Sequence, residues 1–471
     1  MSPNPLRSIP SVNDLLENPT LGKLVDRISH NVLVSMVRTV LDEVKHEVQT
    51  MASEKTLPSV TELAERVARR IAEEELPPLR PVINATGVLL HTDLGSAPLA
   101  EEAIAEMCKV AGDYASVEID LGSGQQSQRV VAVEELLKEL TGAEAAYVVN
   151  NSAGATMLTL AALAGGREVV VSRGHLIESG GSFRLPNVVA ASGAVLRDVG
   201  TTNITHLDDY AGAIGKKTAA LMLVHSSNFM VTGFAKSVGL NELVPLARRH
   251  KLPLIYNIGS GALLDFSRFG FDSDPLAGQC IKSGADVVLF SGDKMLGGPQ
   301  CGIILGRQPL VEQITRHPIA PAMQVGELTL SALAGTLRLY RHPEEALRKI
   351  PLLHMLSTSV ENLKNRATRL APQIAAAKVV EQAEALEGIT YLDGGSLPNQ
   401  KLTTWCVAIK PSGMIAARLA ASLRCGKQAV IGRVQEDRLL LDMRSVLPRQ
   451  DMHIVEAVET LGGTNRNEKA K

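Results

Sequence analysis

The chain has 471 residues, of which 45% are hydrophobic and 21% are charged, and its 48 Lys and Arg against 50 Asp and Glu give a formal net charge of -2. This composition excludes fibrous, disordered and membrane-spanning classes, and the near-neutral charge excludes a protein that binds nucleic acid through a general basic field. Only 3% of the residues are aromatic, so a protein that binds single strands by stacking exposed bases is not expected. Recognition of an RNA by its shape, through a few local cations, stays open.

The cysteines and the first residues bear on the cellular compartment. The five cysteines are widely spaced and include no Cys-x-x-Cys pair, so neither a zinc site nor a disulfide framework is expected. The first residues lack the basic and apolar regions of a signal peptide. We therefore expect a cytoplasmic protein.

Residues 1–76 predict a small helical domain. Apolar side chains recur at three- and four-residue steps from Leu21 to Val40, and a second helical pattern covers residues 60–75. The segment has slightly more acidic than basic side chains, which favours a helical cap or an oligomerisation arm, with a tRNA-binding domain as the alternative. The prolines at residues 77–81 then predict an extended linker, because proline and the residue before it both resist the helix.

Residues 77–340 alternate short apolar runs with helical segments. This alternation predicts an α/β domain with a mainly parallel sheet and helices on both faces. In such a sheet the chemistry is found at the carboxyl ends of the strands. Five runs end in polar residues or glycine, at residues 145–150, 168–172, 219–225, 252–260 and 286–294.

Residues 341–471 predict a long connecting helix followed by a small α+β domain. Strand-like runs occur at residues 402–410, 429–434 and 438–444, with a helical stretch between the first two. The chain is therefore expected to have three parts, an N-terminal helical domain, a large α/β domain and a small C-terminal domain.

The most informative motif is FSGDKMLGGPQCGII at residues 290–304. A lysine in a loop is usually exposed to solvent, but Lys294 stands between two apolar runs. A lysine in such a pocket loses its charge readily and can form a Schiff base with a carbonyl cofactor. We therefore predict that Lys294 is the catalytic residue and that the Ser291 hydroxyl reaches a cofactor phosphate.

A second motif, NNSAGAT at residues 150–156, follows a predicted strand and opens a helix. Small side chains let the backbone approach an anion, and the helix N-terminus supplies free N–H groups. Ser152, Ala153 and Gly154 are therefore predicted to bind a phosphate, although such residues also begin helices that merely pack tightly. Together with Lys294, they predict a pyridoxal 5'-phosphate site.

Further polar candidates follow other predicted strands. Asn228 is predicted to donate a hydrogen bond to the phenolic oxygen of the cofactor, and His175 to lie on the face of its pyridine ring. The alternative for His175 is a loop or core histidine. Thr201 and Thr202 are candidate donors near the ring, and the alternative is that they satisfy backbone groups in a tight turn.

These motifs resemble those of the bacterial L-seryl-tRNA(Sec) selenium transferases (selenocysteine synthases), a family of fold-type I pyridoxal-phosphate enzymes. The resemblance runs from SIPSVNDLL through PVINATGVLLHTDLG and SGDKMLGGPQ to IGRVQEDRLLLDMR, nearly the whole chain. It implies that Lys294 carries the cofactor and then acts as general base. It also implies that seryl-tRNA(Sec) loses its serine hydroxyl by β-elimination, and that selenium from selenophosphate is added.

The resemblance has consequences for partners as well. It implies that the N-terminal domain binds the tRNA and that the chains form a homo-oligomer, a ring of dimers. Arg129 and Arg173 match the family and are candidate substrate-binding cations. Other family arginines are absent, being replaced in this sequence by Ser96, Ile204, Pro321 and Gln324. Each charge-assisted hydrogen bond that is missing lowers the binding free energy of a phosphate donor by about 1.5–3 kcal/mol.

One further departure concerns the cofactor. The family has an aspartate beneath the pyridine nitrogen, and this chain has Asn257. A carboxylate keeps the ring protonated, whereas an amide can bond to the ring but cannot supply the charge. We therefore expect slower elimination, and the substitution Asn257→Asp is expected to raise turnover.

Two alternatives to the selenium transferase stay open. One is a related pyridoxal-phosphate lyase or transferase that acts on a small amino acid or sugar acid, which the missing arginines and the slightly acidic N-terminal segment favour. The other is a non-catalytic, ring-forming relative that binds RNA or a partner. The intact Lys294 and the phosphate-binding segment argue against this second alternative.

Overall fold

The structure is a computed structural model, and its described residues are 9–22, 24, 28–50, 58–74, 77, 79–127, 131–176, 178–179, 183–226, 231, 233–271, 275–392 and 401–463. The chain folds as two units, Met1–Val82 with Arg424–Ala429, and Ile83–Leu423 with Val430–Lys471. The predicted division at residues 76 and 340 stays a prediction.

The first unit is helical, as the periodicity predicts. Ser11 begins its first helix, since the Ser11 side chain accepts from the Asp14 N–H and the Asp14 carboxylate accepts from the Ser11 N–H. The longer helices bury one apolar stripe each, with Leu33 and Val37 packed in one cluster with Leu63 and Val67. The helices of this unit are α1 (Val12–Leu16), α2 (Pro19–Gly22), α3 (His30–Thr50) and α4 (Val60–Glu74).

The rest of the described chain alternates strands and helices. The strands are β1 (Val82–Ala85), β2 (Ala145–Val149), β3 (Glu168–Ser172), β4 (Glu178–Ser179), β5 (Phe183–Arg184), β6 (Val195–Val199), β7 (Thr218–Val224), β8 (Leu254–Asn257), β9 (Val287–Ser291), β10 (Gly302–Gly306), β11 (Val380–Tyr391), β12 (Lys401–Pro411), β13 (Ala429–Gln435) and β14 (Arg438–Asp442). The helices are α5 (Glu101–Ala111), α6 (Val131–Thr141), α7 (Ser152–Ala164), α8 (Leu185–Ala191), α9 (Leu207–Ala213), α10 (Leu240–His250), α11 (Ala277–Lys282), α12 (Gln308–Thr315), α13 (Glu327–Leu339), α14 (Pro343–Lys349), α15 (Pro351–Ser357), α16 (Val360–Ala375), α17 (Ala416–Cys425) and α18 (Asp451–Gly463).

The large sheet has seven strands in the order β2-β10-β9-β8-β7-β3-β6. The pairs β9–β8, β8–β7, β7–β3 and β3–β6 are parallel, which confirms the predicted mainly parallel sheet. Strand β10 was not predicted, and it runs antiparallel to both β2 and β9. Its first residue, Gly302, therefore lies at the carboxyl ends of these two neighbours. A methyl group on Gly302 would collide with the Asn151 carbonyl oxygen, so only glycine fits there.

Both faces of this sheet are covered by helices, as predicted. Strand β3 alternates its side chains, so Val171 points to one face and Val170 to the other. Val171 belongs to the main core with Leu158 of α7, whereas Val170 packs in a second cluster with Leu243 of α10. The predicted fold class is confirmed, and the buried sheet holds the carboxyl ends of its parallel strands on one side.

The small sheet has the order β1-β13-β14-β12-β11, with α16 and α18 contributing to its core. Its β1 strand comes from the segment just after the predicted linker, far away in sequence from the other four. The chain after β1 stays on this sheet, because the Leu89 and Leu90 N–H groups donate to the carbonyls of Tyr391 and Leu392 at 3.0 and 2.7 Å. None of the described helices is long and apolar enough to cross a membrane.

Candidate cofactor site

A cavity of about 660 Å³ opens at the carboxyl ends of the parallel strands of the large sheet. Residues at or just after the ends of four strands line it, Asn151 after β2, His225 after β7, Asn257 in β8 and Ser291 in β9. This is the edge of the sheet at which the sequence predicts the chemistry.

Lys294 lines the cavity in the loop that follows β9, and it is half-buried. The loop is fixed by its own backbone. The Lys294 carbonyl accepts from the Gly297 N–H at 2.9 Å, and the Gly292 carbonyl accepts from the Gly298 N–H at 2.9 Å. Gly297 has φ +67°, a left-handed conformation that other residues adopt only with strain. The motif that singles out Lys294 in the sequence therefore builds a rigid turn around it.

The first turn of α7 forms another wall of the cavity. Asn151 is the N-cap of this helix, and its Oδ1 accepts from the Gly154 N–H at 2.8 Å. Ser152 and Ala153 line the cavity, and their N–H groups stand where an α-helix offers no internal acceptor. An anion at this end would bind the N–H groups of Ser152 and Ala153, while the Gly154 N–H is held by the cap. The phosphate-binding role of all three residues stays a prediction.

The cap of α7 gives a first testable prediction. The substitution Asn151→Ala removes the acceptor of the Gly154 N–H, so we expect the free energy of unfolding to fall by about 1 kcal/mol. Chemical denaturation measures this change. Asn151→Asp, which restores an acceptor at the same place, is the matched control. A loss as large in Asn151→Asp as in Asn151→Ala would contradict the capping role.

Asn257 lies at the floor of the cavity with 4% of its surface exposed. Its Oδ1 accepts from the Gly259 N–H at 2.9 Å, and its Nδ2 donates to the Thr156 Oγ1 at 3.2 Å. The Thr156 hydroxyl in turn donates to the Ser152 carbonyl at 2.9 Å. These bonds fix the orientation of the Asn257 amide and connect it to the first turn of α7.

His175 ends a short 3-10 helix after β3 and is 7% exposed. Its Nδ1 atom is buried and has no hydrogen-bond partner among the described residues. Burial, with a smaller contribution from nearby His225, lowers the pKa of His175 to about 4, so the imidazole is neutral at neutral pH. His175 is not among the described lining residues of the cavity, and its stacking role stays a prediction.

The buried imidazole gives a second testable prediction. The ordinary histidine pKa is 6.5, so on acidification the unfolded chain takes up a proton before the native chain does. Stability is therefore full above pH 6.5 and falls between pH 6.5 and 4, by about 1.4 kcal/mol per pH unit from this group. Denaturation of the cofactor-free protein across this range measures the slope. We expect His175→Gln to have a shallower slope, and an unchanged slope would contradict the assignment.

The remaining predicted residues lie elsewhere or outside the described residues. Arg129 and Asn228 belong to the undescribed part of the chain. Arg173 forms an ion pair with Asp198 at 2.6 Å. The Thr201 hydroxyl donates to the Ile204 carbonyl at 2.9 Å and accepts from its N–H at 3.1 Å, the turn arrangement that the sequence analysis gives as the alternative. Neither Arg173, Thr201 nor Thr202 is among the described lining residues, and their substrate-binding roles stay predictions.

Two parts of the cavity wall were missed by the sequence analysis. One is His225, which is the last residue of the apolar run 219–225 and is held by its N–H bond to the Asn257 carbonyl at 2.8 Å. The other is the segment 92–97, in which only Ser96 was named, as the replacement of a family arginine. The Ala97 N–H of this segment donates to the Asp293 carbonyl at 3.2 Å, next to Lys294. The polar end of the run was a usable signal for His225, but no local pattern reveals a segment brought in from another sheet.

The residues present fit pyridoxal phosphate. In the first turn of α7, Ser152 and Ala153 offer N–H groups that have no acceptor within the helix to a phosphate, and Lys294 offers an amine for the carbonyl carbon. A buried amide, Asn257, lines the same cavity and offers a polar group to a ring.

Comparison with known proteins decides the family. The sequence matches L-seryl-tRNA selenium transferase over residues 82–447 and the selenocysteine synthase N-terminal family over residues 6–44. The chain belongs to the L-seryl-tRNA selenium transferase family. Membership in this family confirms the predicted enzyme class, a selenium transferase, and the predicted pyridoxal 5'-phosphate cofactor.

Full-length relatives agree with this assignment. Proteins named L-seryl-tRNA(Sec) selenium transferase are 43% identical in Moorella thermoacetica, over 98% of both chains, and 42% identical in Geobacter sulfurreducens, over 96% of this chain and 98% of that one. The protein of that name from Carboxydothermus hydrogenoformans is 41% identical over 94% of this chain and 95% of its own length. Among solved structures, D-glucosaminate-6-phosphate ammonia-lyase is similar in fold, with a TM-score of 0.57 at 21% identity, covering 86% of this chain and 99% of that one.

Proposed function

We propose that this selenium transferase converts seryl-tRNA(Sec) to selenocysteinyl-tRNA(Sec). The observation that carries the proposal is the similarity to relatives of that name over nearly the whole chain, combined with a cavity that both Lys294 and the first turn of α7 line. We further propose selenophosphate as the donor, the helices of residues 1–76 as the tRNA-binding part, a ring of dimers as the assembly, and the cytoplasm as the location.

Each wall of the cavity has a role in holding the cofactor. The N–H groups of Ser152 and Ala153 and the Ser291 hydroxyl would bind its phosphate. Nζ of Lys294 would bind its carbonyl carbon, and Asn257 would meet its ring from the cavity floor. When bound, the cofactor supplies an electron sink for the carbanion chemistry of the amino acid.

The side chains then move the protons of the reaction. In its free amine form, Nζ of Lys294 removes the proton from Cα of the seryl group, and the bond between Cβ and the hydroxyl oxygen breaks. Nζ passes that proton to the departing hydroxyl, which leaves as water. The selenium of selenophosphate then adds to Cβ, and the proton of its Se–H group reaches Cα through Nζ. Water cleaves the Se–P bond, which releases phosphate and leaves the selenol on Cβ. The rigid turn around Lys294 keeps the base in place through both halves of the reaction.

A second candidate is a related lyase or transferase that acts on a small amino acid or sugar acid. The described lining of the cavity has Lys294 and His225 as its basic side chains, and no arginine occurs among these residues. A donor with several negative charges is usually bound by arginine forks. This lining therefore favours a less highly charged second substrate than selenophosphate.

One assay separates these possibilities. Purified protein loaded with pyridoxal phosphate is incubated with seryl-tRNA(Sec) and either selenophosphate or thiophosphate, and the aminoacyl group is identified by mass spectrometry. Selenocysteine or cysteine on the tRNA supports the proposal, with Lys294→Ala as the inactive control. Unchanged seryl-tRNA together with turnover of free amino acids or sugar acids supports the second candidate. A colourless protein that takes up no cofactor would contradict both.

A further inference from the structure

The amide of Asn257 has a fixed polarity. The backbone N–H of Gly259 can only donate a hydrogen bond, so the atom that meets it at 2.9 Å must be the amide oxygen of Asn257. The other branch of the Asn257 side-chain amide is then the NH₂ group. Flipping the amide would place two donors against each other in a site where the side chain is 4% exposed.

The NH₂ group of Asn257 carries two hydrogens, and the structure accounts for one of them. This hydrogen is donated to the Thr156 Oγ1 at 3.2 Å. Thr156 is fully buried, and its own hydroxyl hydrogen is donated to the Ser152 carbonyl at 2.9 Å, so the Thr156 oxygen can only accept from Asn257. The donor and the acceptor of each hydrogen bond from Gly259 through Asn257 and Thr156 to Ser152 are therefore determined. The second hydrogen of Nδ2 is the polar group that Asn257 offers to the cavity that it lines.

The position of Asn257 in the cavity indicates which part of a bound cofactor it would meet, namely the ring nitrogen. In pyridoxal phosphate the ring nitrogen is opposite the carbonyl carbon, and Lys294 is the residue placed to bind that carbon. The part of the ring far from Lys294 would meet the cavity floor, where Asn257 is the least exposed of the polar lining side chains. Among the described lining residues the carboxylate is Asp293, which is the residue before Lys294 in the loop after β9.

We infer that Asn257 donates a hydrogen bond to the ring nitrogen and so holds the cofactor as an unprotonated pyridine. A ring nitrogen that accepts this bond has no free lone pair for a proton, and no carboxylate stands at Asn257 to favour the charged form. The inference rests on the cofactor and is independent of the proposed tRNA substrate. An uncharged ring withdraws electrons less strongly than a pyridinium ring. The rate of elimination then depends more on the base Lys294 and on the leaving group.

The test is nitrogen-15 NMR of the full-length protein loaded with ring-labelled pyridoxal phosphate, without tRNA. We expect the wild-type signal in the range of an unprotonated pyridine at neutral and mildly alkaline pH. Asn257→Asp is nearly isosteric and keeps an acceptor for the Gly259 N–H, and we expect its signal to shift to the pyridinium range. Asn362→Asp adds the same charge in the exposed first turn of α16 and is expected to leave the signal unchanged. A pyridinium signal in the wild type would overturn the inference.

A second measurement does not depend on the folding of a variant. An analogue with carbon in place of the ring nitrogen cannot accept the Asn257 hydrogen bond and would leave a buried donor unpaired. We expect the wild-type protein to bind this deaza analogue about tenfold more weakly than pyridoxal phosphate. Equal affinity for the two compounds would contradict the inference. A failure to convert seryl-tRNA(Sec) would contradict the proposed function and leave both of these readouts unaffected.

Discussion

Replacing Lys294 with alanine is expected to lower turnover by more than about 10³-fold and to remove the visible absorbance of the loaded protein. The side chain has two functions, as the covalent holder of the cofactor and as the base, and proton transfer by a positioned side chain alone contributes about 10²–10⁴-fold. Single-turnover kinetics and the absorption spectrum measure the two losses separately. Borohydride reduction is expected to fix the cofactor on the wild-type protein and to leave the variant unlabelled.

Two control variants test whether this loss is specific to the Lys294 amine. Lys294→Arg keeps a positive charge at the position but cannot form the covalent bond, so we expect it to be as inactive as Lys294→Ala. Lys410→Ala removes an exposed lysine that pairs with Glu381 on the small sheet, and we expect full activity and an unchanged spectrum. A Lys294→Ala protein that stays coloured and active would show that another residue holds the cofactor.

The largest expected loss of stability comes from the buried ion pair between α16 and α18. The Arg366 guanidinium donates to both carboxylate oxygens of Asp451, at 3.2 and 2.6 Å, and to the carbonyls of Met443 and Val446. Both side chains are less than a tenth exposed. Asp451→Ala leaves the guanidinium buried without its counter-charge, so we expect the free energy of unfolding to fall by about 3–5 kcal/mol. Urea or guanidinium denaturation measures the change.

The same carboxylate provides the control. Arg369 also pairs with Asp451, at 2.7 Å, but its side chain is 59% exposed. An exposed ion pair contributes up to about 1 kcal/mol, so we expect Arg369→Ala to lower stability by no more than this. The double substitution of Arg366 and Asp451 by apolar residues is expected to cost less than Asp451→Ala, since no buried charge is left. Equal losses in Asp451→Ala and Arg369→Ala would contradict the role of burial.

The sequence alone is sufficient to predict those strands and helices that a local pattern of apolar residues encodes. The apolar runs that form β2, β3, β7, β8 and β9 are buried along almost their whole length, and buried strands of a parallel sheet are continuous apolar runs. In the large sheet β6 and β10 were not predicted, and in the small sheet β1 and β11 were not predicted. Strand β6 has side chains that are mostly exposed or half-buried, so it lacks the pattern of a buried strand. Strand β10 is buried along its whole length, but glycine at both ends leaves it only three apolar side chains, Ile303, Ile304 and Leu305. The antiparallel pairing of β10 depends on contacts distant in sequence.

The residues of the site divide in the same way. Local sequence patterns reveal some of them, and contacts distant in sequence bring the others to the cavity. Lys294, Ser152 and Ser291 were predicted from polar residues that follow apolar runs, and Asn257 was predicted from the resemblance to the family. All four line one cavity. The N-cap bond that occupies the Gly154 N–H depends on the rotamer of Asn151, which no spacing encodes. The segment 92–97 reaches the cavity because β1 pairs with β13, more than three hundred residues later in the chain, and such pairing is invisible to periodicity.

The pairing of β1 with β13 also sets the order in which the site is completed during synthesis. Strand β1 and the segment after it leave the ribosome first, but β1 lacks its neighbour until Ala429–Gln435 has been made, and Leu89 lacks its acceptor until Tyr391 has been made. The sheet that carries Lys294 can form earlier, since its strands end at Gly306. While residues 307–435 are being made, the nascent chain therefore holds a cavity with one wall missing, and the finished cavity is a property of the nearly complete polypeptide.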